Sequence, residues 1–598
     1  MRKTSIYRKS TLSPNTQWKL IDWFHINRYV ERLQQRIYRA ECLGNKRKVR
    51  NLQRLLVRSK AMILISIKRV TQINKGKKTA GVDGEIALTN TERLKLFYDL
   101  SELHIEKHNP KPSRRTYIKK KNGKLRPLSI PTIRDRIYQN IIKGTLEPQW
   151  EARFEPISYG FRPKRGCHDA IARIFRSCHS GSRKRWIFEG DFKGCFDNLK
   201  HDYIMEQIKE FPYDNLVDKW LKAGYVDNGV FNKTQFGSGQ GNIVSPLLAN
   251  IALKGMEDTL GIEYKPVKNN GKIVSYTNVG KYTLVFYADD FVIMCNTQKD
   301  AEDVYELLKP YLGKRGLELS KEKTRIVTID EGFNFLGFNI RMYQTCQGEK
   351  LLIKPSKESI KKSKQTISTE IQKLKGNNVS AVISKLNPII IGVGNYWSPS
   401  VAKQTYSYID HHIWGCTFIF LKYLHPKKSK TWIINRYYKP DIAGQSKNRW
   451  ILTDPKKYKQ LTKMSWIPIV RHTLIKFRAT PYDVNLREYF ERRDEKKFHR
   501  NCIKSKQKMA KMQNYKCPIC KMSITDFGES LVVQEKVPVI HGGTRQYNNL
   551  QLVHGYCNRE YYNREYYKMF PLKGELPTKQ HKQEDYKIIR QLRLAEIS

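Results

Sequence analysis

Leu284-Val285-Phe286-Tyr287-Ala288-Asp289-Asp290-Phe291-Val292-Ile293-Met294 sets two adjacent carboxylates between two apolar, β-prone runs. The simplest local structure is a hairpin, its strands buried on at least one face and its acids at the tight turn. Two unpaired aspartates against a core repel each other and cost desolvation. A divalent cation removes both penalties, so the turn reads as a metal site. A polar turn facing solvent would carry the same letters, and this stretch alone does not separate the two. Upstream, Trp186-Ile187-Phe188-Glu189-Gly190-Asp191-Phe192-Lys193-Gly194-Cys195-Phe196-Asp197 again ends an apolar run on an aspartate. Carboxylates on the ends of neighbouring strands can hold a pair of Mg²⁺ ions, which lower the pKa of an attacking 3′-hydroxyl and clamp the phosphate.

The two stretches resemble the metal-binding motifs of reverse transcriptases, and Tyr287-Ala288-Asp289-Asp290 is similar to that family's YxDD signature. The resemblance implies that Asp191, Asp289 and Asp290 are catalytic and hold two Mg²⁺ ions with the Phe192 backbone. Phe196 stands where the family places an aromatic sugar gate, which excludes ribonucleotides by overpacking against the extra hydroxyl. Further blocks follow the family's order. Arg114 to Lys120 and Lys124 to Pro131 flank a turn at Asn122-Gly123, giving a basic hairpin. There the resemblance implies that Arg126 and Lys124 contact nucleotide phosphates. Ser158-Tyr159-Gly160-Phe161-Arg162-Pro163-Lys164-Arg165-Gly166 mixes aromatics and arginines in a composition suited to stacking on a sugar or base and gripping a backbone. Cys167 and His168, next to it, lack a third ligand at metal spacing and read as structural. Gly237 to Asn250 is a glycine-rich loop entering a helix, in which Gln240 meets the incoming nucleotide by resemblance. It departs from the usual pattern at Gly239 and Asn242. Lys323 is a candidate proton donor to pyrophosphate.

Charge points the same way. Lys and Arg number 111 against 56 Asp and Glu, a net charge of +55, which favours a polyanionic partner. A ribosomal or histone-like coat fits poorly with 39% hydrophobic residues and ten tryptophans. No apolar run reaches the roughly 18 residues of a membrane span, and the basic N-terminus lacks a signal sequence's apolar stretch. Eleven scattered cysteines argue against a disulfide framework and for a reducing compartment. The expected location is a bacterial cytoplasm or nucleoid, with an organelle matrix the alternative.

Residues 17 to 72 read as helices with a basic face of Arg32, Arg36, Lys46, Arg47, Lys48, Arg54 and Arg58. Beyond residue 350, Leu386-Asn387-Pro388-Ile389-Ile390 and His425-Pro426-Lys427-Lys428-Ser429 look like domain X, the thumb and RNA-binding region of group II intron maturases. Aromatic residues among lysines suit RNA binding there. The lysine- and arginine-dense stretch after residue 446 resembles, by position, the family's DNA-binding segment; a charged linker has the same composition.

Near the C-terminus, Cys517-Pro518-Ile519-Cys520 and His554-Gly555-Tyr556-Cys557 supply four ligands suited to one structural Zn²⁺. The setting resembles an HNH endonuclease, with HNH-like positions Glu535, Asn549 and Asn558. The histidine pair expected before Pro538 falls on Gln534-Glu535, and the last histidine is Asn558. Glutamate is a poor substitute for the imidazole that activates water, so cleavage is expected to be lost or weak while DNA binding survives.

The expectation is an α/β multidomain right-hand polymerase: fingers and palm with an antiparallel palm sheet, a helical thumb, and a small zinc-bound HNH-like domain. Boundaries are expected at 1–85 for the N-terminal extension, 86–348 for fingers and palm, 349–445 for domain X, 446–510 for the connector and 511–598 for the zinc domain. By resemblance this is a group II intron reverse transcriptase and maturase that takes intron RNA, target DNA and dNTPs as partners and no membrane. Homodimer and monomer both stay open. The alternatives are a splicing cofactor without polymerase activity and a domesticated or defence reverse transcriptase.

Overall fold

A computed structural model describes residues 14–119, 123, 125–442, 444, 446–457, 459–525 and 530–562. At its centre, Thr283–Tyr287 and Asp290–Cys295 pair antiparallel, leaving Ala288 and Asp289 as a two-residue turn. Trp186–Asp191 pairs with the second strand in a register that sets Asp191 opposite Asp290, and Arg325–Thr328 closes the other edge. All three pairings are antiparallel. Helices Gln298–Arg315 and Cys167–Ser177 pack on this sheet. The first starts at a capping box between Thr297 and Asp300 and stops at Gly316, whose φ of 72° suits glycine. Ile187, Phe188, Val285, Ile293 and Met294 are wholly buried. Each such side chain stabilises the fold by about 1.5–3 kcal/mol. Burial on both faces explains why these strands read as continuous apolar runs.

The N-terminal segment forms helices Trp23–Cys42, Lys46–Arg58 and Lys60–Lys68, capped by the side chains of Asp22, Asn45 and Ser59. Their apolar stripes pack with the long helix Ile133–Arg153, while the basic face lies in solvent. Ser113–Lys119 and Leu125–Ile130 form the basic hairpin, whose tip with Lys124 and Asn122 lies outside the described residues.

Helices Lys357–Lys373, Val379–Trp397 and Lys403–Leu424 follow. The Asn387 side-chain amide donates to the Gln460 carbonyl at 3.1 Å and accepts from the Thr462 N–H at 2.8 Å. It thereby clamps the chain beyond residue 446 onto the helix. That stretch is no free linker. Leu461, Met464, Ile467, Leu474 and Ile475 enter the main core. Buried Asp169 accepts from His472, Arg493 and the Ile475 N–H.

Two expected boundaries fall inside elements and a third divides a strand pair. Residue 349 lies in the hairpin Phe338–Thr345/Gly348–Pro355, and the 445/446 division splits the pair Tyr438–Lys439/Ile451–Leu452. Residue 511 lies in helix Lys504–Met512, whose Met509 and Ala510 belong to the C-terminal unit's own core. No helix among the described residues is long and apolar enough to cross a membrane.

One buried acid gives the fold a pH signature. Glu257 accepts a hydrogen bond from the Tyr264 hydroxyl at 2.6 Å. Burial, opposed by that hydrogen bond and reinforced by Glu155 and Asp258, pushes its pKa from 4.5 up to about 8. A raised folded-state pKa contributes stability that is complete below 4.5 and is lost as pH rises through about 8. Glu257→Gln should therefore flatten the fall in Tm from about pH 5 to about pH 8. Parallel Tm curves for the two proteins would contradict this.

Candidate active site and metal centre

Asp191 and Asp290 face each other across paired strands, and Asp289 occupies the adjoining turn. Two glycines permit this. A Cβ on Gly190 would lie 2.1 Å from the Phe291 ring, and one on Gly160 would lie 2.2 Å from the Ala288 nitrogen. The chain at Ile157–Tyr159 is zipped to Phe286, with Tyr159 N–H to Phe286 carbonyl at 2.9 Å, so Gly160 backs directly onto the acidic turn. Solvent reaches Asp290 from the open side. Protein crowding on its other side, then the Asp289 and Asp191 charges, push its pKa up to about 6, against the pull of Lys323. Lys323 Nζ lies 2.7 Å from Asp191 Oδ2. Phe192 bridges Leu319 through its neighbours, Ser320 N–H to Asp191 carbonyl and Lys193 N–H to Glu318 carbonyl, so this bridge does not use the Phe192 carbonyl.

Arg126 and Gln240, far apart in sequence, meet at 2.7 Å between Nε and Oε1. Behind them the glycine-rich loop lies against the basic hairpin, with Ser129 N–H to Gln240 carbonyl at 2.6 Å. A Cβ on Gly241 would sit 2.4 Å from the Ser129 carbonyl oxygen. Gly239 has a φ of 29°, which no proline can adopt, so the departure from the family's proline belongs to a different local backbone. Phe196 is buried, edge-on to the half-exposed Phe161 at 6.2 Å.

The arginines of the 158–166 block are not available for a nucleic acid. Arg162 pairs with Glu151 in the interior through both Nε and Nη2. Arg165 donates to the carbonyls of Pro156, Phe477 and Ala479. Their spacing among glycines gave no sign that Glu151 and the 477–479 carbonyls would claim them; only Phe161 stays open.

In the C-terminal unit, Cys517, Cys520, His554 and Cys557 are all buried, and their ligating atoms lie within 4.8 Å of one another. A turn through Lys521, with a φ of 58°, presents the first pair. Strand Leu550–His554 and helix Gly555–Tyr562 present the second. His554 Nδ1 faces Cys520 Sγ at 3.3 Å, while Nε2 meets the Ser523 carbonyl at 3.0 Å, which orients the ring. Two of the three HNH-like positions are engaged in holding the chain. Glu535 accepts from the Val539 N–H, and Asn549 bonds both backbone groups of Val537 and the Thr544 carbonyl. Asn558 leaves its buried Oδ1 without a partner.

An antiparallel sheet with three acids at its strand ends, faced by a basic hairpin and a glycine-rich loop, defines a template-directed nucleic-acid polymerase of the right-hand class. Family models for reverse transcriptase (RNA-dependent DNA polymerase), for the N-terminal domain of reverse transcriptase and for the group II intron maturase-specific domain match residues 118–340, 18–100 and 360–438. The chain belongs to the group II intron reverse transcriptase/maturase family. Protein YkfC of Escherichia coli is 35% identical over 47% of this chain and 81% of its own length. Group II intron-encoded protein LtrA of Lactococcus lactis subsp. cremoris is 36% identical over 45% of this chain, which spans about half of it (53%). An uncharacterized 91 kDa protein in a cob intron of Schizosaccharomyces pombe is 26% identical over 85% of this chain and 66% of its own.

Proposed function

We propose that this chain is an RNA-directed DNA polymerase that also serves as a splicing maturase for a group II intron. The observation that carries this is the convergence of Asp191, Asp289 and Asp290 at one end of the central sheet. The donor set fits Mg²⁺: hard carboxylate oxygens, crowded enough to raise Asp290, with Lys323 as the ion-pairing cation. When bound there with help from the Phe192 carbonyl, Mg²⁺ supplies Lewis-acid charge that activates the primer 3′-hydroxyl and offsets charge on the phosphate. Lys323 neutralises Asp191 before substrate arrives and serves as the proton donor to pyrophosphate. Arg126 and Gln240 hold each other in place to receive the nucleotide, and Lys124 is a further contact to its phosphates.

Phe196 gates the sugar, braced by Phe161. Phe196→Val should raise ribonucleotide incorporation relative to deoxyribonucleotide by at least roughly tenfold, read as a ratio of kcat/KM values. An unchanged ratio would return Phe196 to the core.

The helices from 357 to 437 and the basic N-terminal face hold intron RNA, and within the 446–510 connector the lysine- and arginine-dense helix around Glu491 contacts target DNA. The Cys517, Cys520, His554 and Cys557 cluster carries one structural Zn²⁺ in an HNH-like unit that does not cleave DNA, since Glu535 and Asn549 serve the local fold. The test combines purified chain with a group II intron RNA and primer. Splicing and cDNA synthesis that both depend on the chain support the reading; splicing alone reduces it to an RNA-binding cofactor.

A further inference from the structure

Helix Lys403–Leu424 buries Tyr406, Ile409, Ile413, Thr417, Phe420 and Leu421 in the core. Its other face carries Ser407, Asp410, His411 and Trp414, which recur at helical spacing and line a cleft of about 530 Å³. Asn448, Trp450, Lys463 and Ser465 form the opposite wall. Trp414 stacks on His411 at 6.5 Å and on Phe418 at 5.6 Å, and meets Trp450 edge-on at 6.3 Å. Trp450 is 49% exposed, and its backbone N–H is held by the Asn448 side chain at 2.8 Å. The indole N–H of Trp414 is buried without an acceptor. Asp410 accepts from the Met464 and Ser465 N–H groups at 2.7 and 3.0 Å, and a carboxylate has capacity beyond those two bonds. Lys463 lines the cleft, and Lys447 and Arg449, on either side of Asn448, are both exposed.

Trp414 packs in part against the main core and Asp410 holds the Met464 and Ser465 backbone, whereas His411 and Trp450 are exposed. A cleft between indole and imidazole rings, with Lys463 in its wall and the exposed Lys447 and Arg449 adjoining Asn448 in sequence, suits a flat ring attached to a phosphate backbone. We infer that this cleft takes one unpaired guanine of single-stranded RNA. The base stacks against Trp450 and the His411–Trp414 pair. Its adjacent N–H donors meet Asp410, and its flanking phosphates meet Lys447, Arg449 and Lys463. A base already paired in a helix offers neither its faces nor that edge.

The inference rests on the reading of the chain as an intron-RNA binder, and one experiment separates the two. The full chain is titrated with labelled single-stranded oligouridylate carrying one central guanine, and with the same strand carrying adenine instead. Ultraviolet cross-links are then mapped by mass spectrometry. The cross-links are expected at Trp450, Trp414 or His411, with the guanine strand bound more tightly. Trp450→Ala should weaken binding about tenfold and remove the cross-link, and Trp450→Phe should restore most of both. Asp410→Asn should erase the preference for guanine, with circular dichroism checking the fold of each variant. Tight RNA binding with cross-links only elsewhere, or binding indifferent to Trp450, overturns the cleft and leaves the maturase reading standing. No RNA binding by the wild-type chain overturns both. An acidic peptide that binds in a Trp450-dependent way while the oligonucleotide does not would assign the cleft to a protein partner instead.

Discussion

Asp289→Asn is expected to cut RNA-templated DNA synthesis by roughly three orders of magnitude, the scale for losing one preorganised electrostatic group at a transition state. Asparagine keeps the volume of aspartate, and the turn is set by backbone pairing from Thr283–Tyr287 to Asp290–Cys295, so the hairpin survives. What disappears is one of three negative donors. Asp290, which Asp289 helps to push up to about 6, should then titrate lower. The metal-free variant should be no less stable than the parent at neutral pH, because repulsion at the turn has been relieved. Intron RNA binding and splicing, which the proposed function places on other surfaces, should be retained. Primer extension on an RNA template, run beside a splicing assay with the same preparations, reads both arms. Undiminished synthesis by the variant would remove these aspartates from the chemistry.

The joint replacement of Cys517 and Cys520 by serine should have the other large effect. The C-terminal unit has a small core, including Phe498, Met509, Ala510, Ile524, Leu552 and Val553, and one two-stranded sheet, Leu531–Glu535 with Leu550–His554. A two-stranded sheet is marginal alone. Structural zinc contributes about 10–16 kcal/mol of binding free energy, which becomes folding free energy in such units. Elemental analysis should find one zinc per wild-type chain and none in the variant, and limited proteolysis should open the variant after residue 512. The consequence reaches the other end of the chain. Lys68 Nζ lies 4.0 Å from the Trp23 ring centroid and 5.0 Å from that of Tyr556, and Ile73 packs on the unit's core. Cleavage near Trp23 should therefore rise as well. Equal protease resistance in a chain shown to lack metal would refute a structural zinc site.

How much was legible in the sequence follows from the range of the interactions. The paired strands around Asp289, the helix begun by Thr297 and ended by Gly316, the caps at Asp22, Asn45 and Ser59, and the Cys-x-x-Cys with His-x-x-Cys spacing are patterns of a few residues. Local sterics, hydrogen-bonding capacity and hydrophobic period determine them, so the sequence by itself specifies them.

Tertiary structure decided what depends on residues distant along the chain. Arg162 and Arg165 look like ligand-binding cations until Glu151 and the 477–479 carbonyls claim them. Arg126 and Gln240 belong to separate motifs until a hydrogen bond joins them. Residues 446–510 look like a charged linker until Asn387 and Asp169 bind them into the core. Trp450 is one more aromatic among cations until a helix some forty residues earlier brings Asp410, His411 and Trp414 beside it. Charge and aromaticity state what a side chain is able to bind; which partner it meets is set by chain packing, which no local period encodes.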